Sequence, residues 1–149
     1  MTILPYSTSH TECIIYLLRL NTPKYFAPEE EADLKDYLDN HIDHYYIVED
    51  DGKIIGCGGF NLTEDKTEAM ISWDIIHTDY HCMGVGSALT KFRIDKIMQI
   101  KGVNKISVRT SQLVYKFYEK FGFGLKEAIK DYWANGFDMY RMERDISKA

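Results

Sequence analysis

The chain has 149 residues, 45% of them hydrophobic, which suits a single domain spanning 1–149 with a buried core and excludes a disordered chain. The net charge is −5 and no Lys/Arg block stands out, which argues against nucleic-acid binding. No apolar run approaches the roughly 20 residues of a membrane-spanning helix. The start lacks the basic and apolar regions of a secretion signal, and the three cysteines are widely spaced, so we expect a cytoplasmic protein with reduced thiols.

The first part of the chain carries signals for one short strand and two helices. Residues 3–6 are strand-like, and the apolar residues of 13–18 recur at helical spacing. Pro28 and the three glutamates after it are typical of the first turn of a second helix, because Pro needs no N–H there and acidic groups favour the positive helix end.

Three strands joined by short turns follow, at 45–49, 53–62 and 67–77. Gly56, Gly58 and Gly59 lie inside the second of these strands. Glycines within a strand predict a bulge or a close backbone neighbour.

A glycine-punctuated turn joins the third of these strands to a helix predicted over 84–100, and it runs His81-Cys82-Met83-Gly84-Val85-Gly86. Glycines let the backbone approach an anion closely, and the first amides of a helix have no intrahelical partner. The turn is therefore either an anion-binding cradle or a tight connection.

The last part of the chain predicts a strand at 105–109, a short helix at 114–121, and strands at 125–133 and 137–146 around the hairpin signal Asn135-Gly136. The complete order is β, α, α, β, β, β, α, β, α, β, β. This order predicts an α/β fold with a mixed sheet and one parallel crossover. The glycine turn then lies at the C-terminal end of a strand, where open sheets bind ligands.

Two segments resemble motifs of the GNAT family of N-acetyltransferases. The turn fits the family pattern Gln/Arg-x-x-Gly-x-Gly/Ala as His81-x-x-Gly84-x-Gly86, and residues 117–123 are similar to its Phe-Tyr-Glu-Lys-x-Gly-Phe segment. The two lie at family-like spacing within a matching order of elements. The resemblance implies a mixed, mostly antiparallel sheet of six to seven strands with about four helices and one βαβ crossover around the helix at 84–100.

The resemblance also implies acetyl-CoA as the cosubstrate and no metal. In the family, the amides of this turn hold the pyrophosphate, and the preceding strand pairs with the pantetheine arm. His81, Cys82 and Met83 depart from the family's more basic residues, so the cradle must rely on backbone amides. The residues that the resemblance assigns to cofactor binding are Ile75, Ile76, His77, His81, Cys82, Met83, Gly84, Val85, Gly86, Ser87, Ala88, Ser111 and Tyr118.

Tyr118 falls where the family has a tyrosine beside the CoA sulfur, so the resemblance implies a general acid for the leaving thiolate; the alternative is a packing role. Met70 occupies the position of the usual glutamate base. Asp74 is the next candidate, as a base, directly or through a water, as an anchor for a cationic acceptor or as a structural carboxylate, and Glu68 is a weaker one. By the period of two, Glu68, Ser72 and Asp74 should share Met70's face of the strand.

The implied function is transfer of an acetyl group from acetyl-CoA to a primary amine of a small molecule, a protein or a peptide. Because the usual glutamate is missing, an acyl-CoA-binding sensor or scaffold with little catalysis is the alternative, and a site for another phosphate ligand is a third hypothesis. We expect acceptor walls at Tyr25, Phe26, Trp73 and Trp133. An exposed end strand such as 137–146 could pair in a homodimer.

Overall fold

The computed structural model describes residues 1–147, which form one seven-stranded mixed sheet in the order β1-β2-β3-β4-β5-β7-β6. The strands are β1 Thr2–Pro5, β2 His44–Asp50, β3 Lys53–Leu62, β4 Glu68–Ile76, β5 Lys105–Thr110, β6 Gly124–Ala134 and β7 Phe137–Asp145. The helices are α1 Thr11–Leu20, α2 Glu30–Asn40, α3 Val85–Met98 and α4 Tyr115–Glu119, with short 3₁₀ turns at Thr8–His10 and Thr78–Tyr80. The predicted fold class is confirmed, including the parallel β4–β5 pair joined through α3.

Helices cover both faces of the sheet. Consecutive residues in a strand point to opposite faces, and β2 shows this clearly. Ile47 packs into a cluster with α1 and α2, whereas Val48 packs with Val85 and Leu89 of α3. The sheet therefore has an α1/α2 face and an α3 face, and each buries its own apolar core.

Strands β4 and β5 pair at only one end. Within the described residues, their register runs from Glu68 opposite Lys105 to Met70 opposite Ser107 and stops there. Toward their C-terminal ends the two strands part, so the backbone edge of β4 facing β5 is left without a strand partner. The resulting gap opens the middle of the sheet to a ligand.

A β-bulge in β4 changes which face its later residues use. Ile75 lies opposite Cys57 and Ser72 lies opposite Gly59, so Trp73 and Asp74 together oppose the single residue Gly58. Trp73 has a φ of 47°, in the left-handed region. A glycine at 58 is required because a Cβ there would lie 2.4 Å from an Asp74 oxygen. The glycines of β3 predict a bulge or a close backbone neighbour, and the close neighbour is confirmed at Gly59, where a Cβ would clash with the His44 carbonyl of β2.

The bulge corrects one expectation about the site. Ser72 donates to Asn61, which also accepts from Tyr37 of α2, so Ser72 faces α2. Asp74 instead bonds Arg93 of α3. The prediction that Asp74 shares a face with Ser72 and Met70 is therefore wrong, because the extra residue shifts the alternation by one.

A second correction concerns the end of the sheet. The last strand, predicted at 137–146, is interior: β7 pairs with β5 on one side and with β6 on the other. The edge is β6, because the hairpin turns outward and leaves the earlier of its two strands at the border. The strand at 137–146 thus has no free edge for pairing with a second copy. Over residues 1–147, no helix combines the length and apolar character needed to span a membrane.

Candidate active site

A cleft of about 920 Å³ occupies the gap between β4 and β5. At one end it reaches the turn at Gly84, where β4 leads into α3. At the other it reaches the aromatic side chains of Phe26 and Trp73, and the α4 residue Tyr118 also lines it. One continuous cavity therefore joins the glycine turn to the face covered by α2.

The glycine turn is a backbone cradle at the start of α3. Gly84 caps the helix with a φ of 83°, and a Cβ there would meet no atom within 4 Å. The first helical bond runs from the Ala88 N–H to the Gly84 carbonyl at 3.0 Å. The amides of Val85, Gly86 and Ser87 precede that bond and are free of intrahelical partners. Open space beside free helix amides suits an anion such as a pyrophosphate.

Most of the predicted site residues line the cleft, and four do not. The His77 N–H donates to Ile55 in β3, and the His77 ring is buried outside the cleft. Val85 packs in the core, Ala88 lies inside α3, and Met83 is 66% exposed. The predicted residues that do line the cleft are Asp74, Ile75, Ile76, His81, Cys82, Gly84, Gly86, Ser87, Ser111 and Tyr118.

His81 is directed at the end of β4. Its Nε2 donates to the Ile76 carbonyl at 2.9 Å, and the Asn21 side chain donates to the same oxygen at 2.9 Å. The Tyr25 ring packs edge-on against His81, with ring centroids 5.4 Å apart. The Ile76 carbonyl thus accepts two hydrogen bonds from protein groups. Through one of them, His81 links the glycine turn to the end of β4.

Tyr118, Asp74 and Arg93 form a hydrogen-bonded network beneath the cleft. The Tyr118 hydroxyl donates to Asp74 Oδ2 at 2.5 Å. Arg93, which is fully buried, donates Nη2 to the same oxygen at 2.7 Å and Nη1 to Asp74 Oδ1. Nη1 also donates to the Gly59 carbonyl at 3.0 Å. The guanidinium thereby fixes the carboxylate, and the carboxylate fixes the tyrosine.

Burial and charge set the ionisation of this network. Burial raises the pKa of Tyr118 well above its usual value, the Asp74 charge raises it further, and the Arg93 charge acts in the opposite direction. Burial alone would lower the pKa of Arg93, but the charge of Asp74 and its hydrogen bond outweigh burial and raise it. Tyr118 is therefore protonated and Arg93 is cationic at neutral pH.

Both carboxylates proposed from the sequence as bases already hold protein donors. Asp74 accepts from Arg93 with each oxygen and from Tyr118. Glu68 accepts from the Ser107 hydroxyl at 2.6 Å, and its other oxygen lies 3.3 Å from the Lys105 ammonium. These donors make each carboxylate a weaker proton acceptor than a carboxylate without hydrogen bonds.

The end of the cleft on the α1/α2 face is aromatic. The Phe26 and Trp73 rings stack with centroids 6.2 Å apart and planes 15° apart. Tyr37 lies 6.4 Å from the Trp73 ring. All four predicted wall residues, Tyr25, Phe26, Trp73 and Trp133, line the cavity.

Asn21, Glu30 and Arg93 are among the lining or supporting residues that were missed from the sequence. Arg93 carries a visible signal, because it lies one helical turn from Leu89 and one from Ile97, both buried, so the apolar face of α3 contains a charge. Glu30 resembles its exposed acidic neighbours and gives no such signal. Asn21 looks like an ordinary helix stop until its contact with Ile76, 55 residues away, is known.

Comparison with known proteins agrees with this architecture. The family model described as the Acetyltransferase (GNAT) family matches residues 14–123, and the chain belongs to that family. An amino-acid acetyltransferase of Pasteurella multocida strain Pm70 is 32% identical over 93 residues, which are 62% of this chain and 21% of that protein. The chain thus spans about a fifth of the length of that relative.

Solved structures share the fold across nearly the whole chain. The ribosomal-protein-S18-alanine N-acetyltransferase from Escherichia coli superposes with a TM-score of 0.82 at 19% identity, covering 99% of this chain and 95% of that one. An aminoglycoside 6'-N-acetyltransferase complexed with coenzyme A gives a TM-score of 0.79 at 14% identity, covering 100% and 99%.

Proposed function

We propose that this protein is an acetyl-CoA-dependent N-acetyltransferase that moves an acetyl group directly to a primary amine. The observation that carries the proposal is the continuous cleft between β4 and β5. The cleft joins an anion cradle at Gly84 to an aromatic end at Trp73, and the Tyr118 side chain lines it as well. A thioester cofactor and an amine can therefore meet inside one cavity.

The cofactor would be held mainly by backbone groups. The amides at 85–87 would bind the pyrophosphate, since they are free and adjoin open space. The unpaired edge of β4 at Ile75 and Ile76 would receive the pantetheine arm in the manner of an added strand, with the Ile76 carbonyl already bonded to His81. Ser111 lines the opposite wall and adds a hydroxyl.

Tyr118 would protonate the leaving thiolate when its hydroxyl proton, which Asp74 Oδ2 accepts in this structure, turns to the sulfur. Its raised pKa keeps the hydroxyl protonated at neutral pH, as a general acid requires. The nearby Arg93 charge lowers that pKa and so stabilises the tyrosinate that forms. Asp74 acts through Tyr118 as a positioning residue, because its own oxygens are committed to hydrogen bonds.

The acceptor would enter from the aromatic end, past Phe26 and Trp73. The name of the Pasteurella multocida relative gives an amino acid as its acceptor. The name of the Escherichia coli structure gives a ribosomal protein. A primary amine is the chemistry that these two share. We therefore propose that the acceptor is a primary amine, carried by a small molecule, a protein or a peptide.

The test is turnover of acetyl-CoA with a panel of primary amines, read by mass spectrometry of the products. We expect Tyr118→Phe to lower kcat by about 100-fold, since general acid catalysis contributes on that scale. Calorimetry should show unchanged CoA affinity in this variant. Tyr115→Phe is the matched control, because Tyr115 lies on the same helix, packs against Tyr140 and does not line the cleft.

Two outcomes would contradict the proposal. If CoA binds but no amine in the panel is acetylated, a CoA-binding sensor explains the site better. If CoA does not bind at all while another phosphate ligand does, the cradle serves that ligand. A wild-type rate for Tyr118→Phe would remove the general-acid role alone.

A further inference from the structure

Three carboxylates of the described residues line the cleft, and they differ in how many of their oxygens hold a protein donor. Asp74 and Glu68 are each held by protein donors at both oxygens. Glu30, the first residue of α2, accepts the Ala27 N–H at 2.7 Å with Oε2. Within residues 1–147, no protein group donates to its Oε1. Glu30 is thus the carboxylate in the cleft with a free oxygen.

The position of Glu30 places it beside the aromatic end. Residues at i, i+4 and i+7 share a helix face, so Glu30, Leu34 and Tyr37 lie on the buried side of α2. Tyr37 and the preceding Phe26 both contact the Trp73 ring. Glu30 lies between these two contacts along the chain, is only 8% exposed, and lines the same cavity.

We propose that Glu30 accepts the proton of the attacking amine, in place of a glutamate at the position of Met70. The inference rests on the proposed acetyl transfer and names its acceptor class, an aliphatic primary amine. A carboxylate beside stacked aromatic rings binds an alkylammonium group, because the rings contribute cation–π attraction and the carboxylate contributes charge.

Glu30, Tyr118 and water together account for every proton that moves in the reaction. An alkylammonium acceptor gives one proton to Glu30, which passes it to water in the cleft. The neutral nitrogen then attacks the thioester carbonyl, the N–C bond forms, and Glu30 takes the second proton from nitrogen. The C–S bond breaks with its electron pair on sulfur, and sulfur takes the Tyr118 proton. Glu30 then releases its proton to water and Tyr118 regains one, so the net change is one acetyl transfer and one proton released.

The ionisation of Glu30 suits a base at neutral pH. Burial raises its pKa, the Ala27 N–H lowers it, and the charges of Asp33 and Glu29 raise it. The other titratable groups that line the cleft are Tyr25, Tyr37, Glu68, Asp74, Tyr80, His81, Cys82, Arg109, Tyr118, Lys120 and Arg141. A carboxylate whose pKa lies above its ordinary range is a better proton acceptor than an exposed one.

The test compares Glu30→Gln with Glu29→Gln. Glutamine keeps the shape and can still accept the Ala27 N–H, and Glu29 is an exposed neighbour that loses the same charge. We expect Glu30→Gln to lower kcat about 100-fold with an aliphatic amine, and less with an aniline, because a neutral aniline nitrogen needs Glu30 only for the second of the two protons. CoA affinity should be unchanged. The acidic limb of the kcat–pH profile should disappear in this variant and persist in Glu29→Gln.

A Glu30→Gln enzyme that retains the wild-type rate and the acidic limb would overturn the inference. So would equal losses with aliphatic and aromatic amines, which indicate a structural effect. If Glu30→Gln does not fold, the wild-type kcat–pH profile still tests the inference, and the absence of an acidic limb would overturn it. Failure of the wild-type protein to acetylate any amine would instead contradict the proposed function, so the two failures are distinguishable.

Discussion

The two ends of the cleft are built in different ways. The proposed cofactor end is made of backbone: one glycine in the left-handed region and the first amides of α3, all within a few consecutive residues. The proposed acceptor end is made of side chains from the loop before α2, from α2 itself, from β4 and from β6. On this proposal, acceptor preference can change by substitution while the cofactor site stays intact.

The largest expected effect comes from the network that lies beneath both ends. Arg93→Met removes a buried guanidinium and leaves Asp74 unpaired, which should cost about 3 kcal/mol of unfolding free energy. Urea denaturation followed by circular dichroism measures this loss. Adding Asp74→Asn should recover part of it, because the second change removes the uncompensated charge. Equal losses in the single and double variants would mean that Arg93 contributes packing alone.

A smaller expected effect concerns CoA binding at the glycine turn before α3. Gly84→Ala and Gly102→Ala are matched, because both glycines have positive φ and open surroundings, with φ values of 83° and 93°. Each variant should lose about 1 kcal/mol of stability from backbone strain. Only Gly84→Ala should weaken CoA binding in calorimetry, by about tenfold or more, equivalent to about 1.4 kcal/mol. Equal CoA affinities would show that the turn at Gly84 does not hold the cofactor.

The smallest effect concerns the acceptor end and depends on pH. The pKa of Glu30 is raised in the folded state, so between the unfolded and folded pKa values the folded chain keeps a proton that the unfolded chain has lost, and stability falls as pH rises through that interval. Above the folded pKa, the cost of burying the charge is fully present. Glu30→Gln should therefore raise the free energy of unfolding more at pH 8 than at pH 4, which urea denaturation at the two pH values measures. A gain independent of pH would assign the effect to packing.

The sequence predicts the elements and the glycine turn before α3 well, because both depend on neighbouring residues. Helical spacing, the Asn135-Gly136 turn and the glycines at 84 and 86 act locally, and the structure has the elements they indicate. The rest of the cleft depends on contacts between distant segments. The pairing of Asp74 with Arg93 across 19 residues, for example, follows from a bulge that leaves no periodic signature.

The position of the last strand escaped prediction for a similar reason. A hairpin signal fixes the pairing of β6 with β7, but it does not state which of the two meets β5. Glu30 also escaped, because a run of three glutamates gives no indication of which one the fold buries.

The single extra residue in β4 exchanges the two faces to which the later side chains of the strand point. Before it, Ser72 serves the wall that α2 completes; after it, Asp74 serves the wall that α3 completes. One short strand thereby supplies a polar side chain to each face of the sheet, Ser72 to Asn61 and Asp74 to Arg93 and Tyr118. A regular strand of the same length would have placed both side chains on one face.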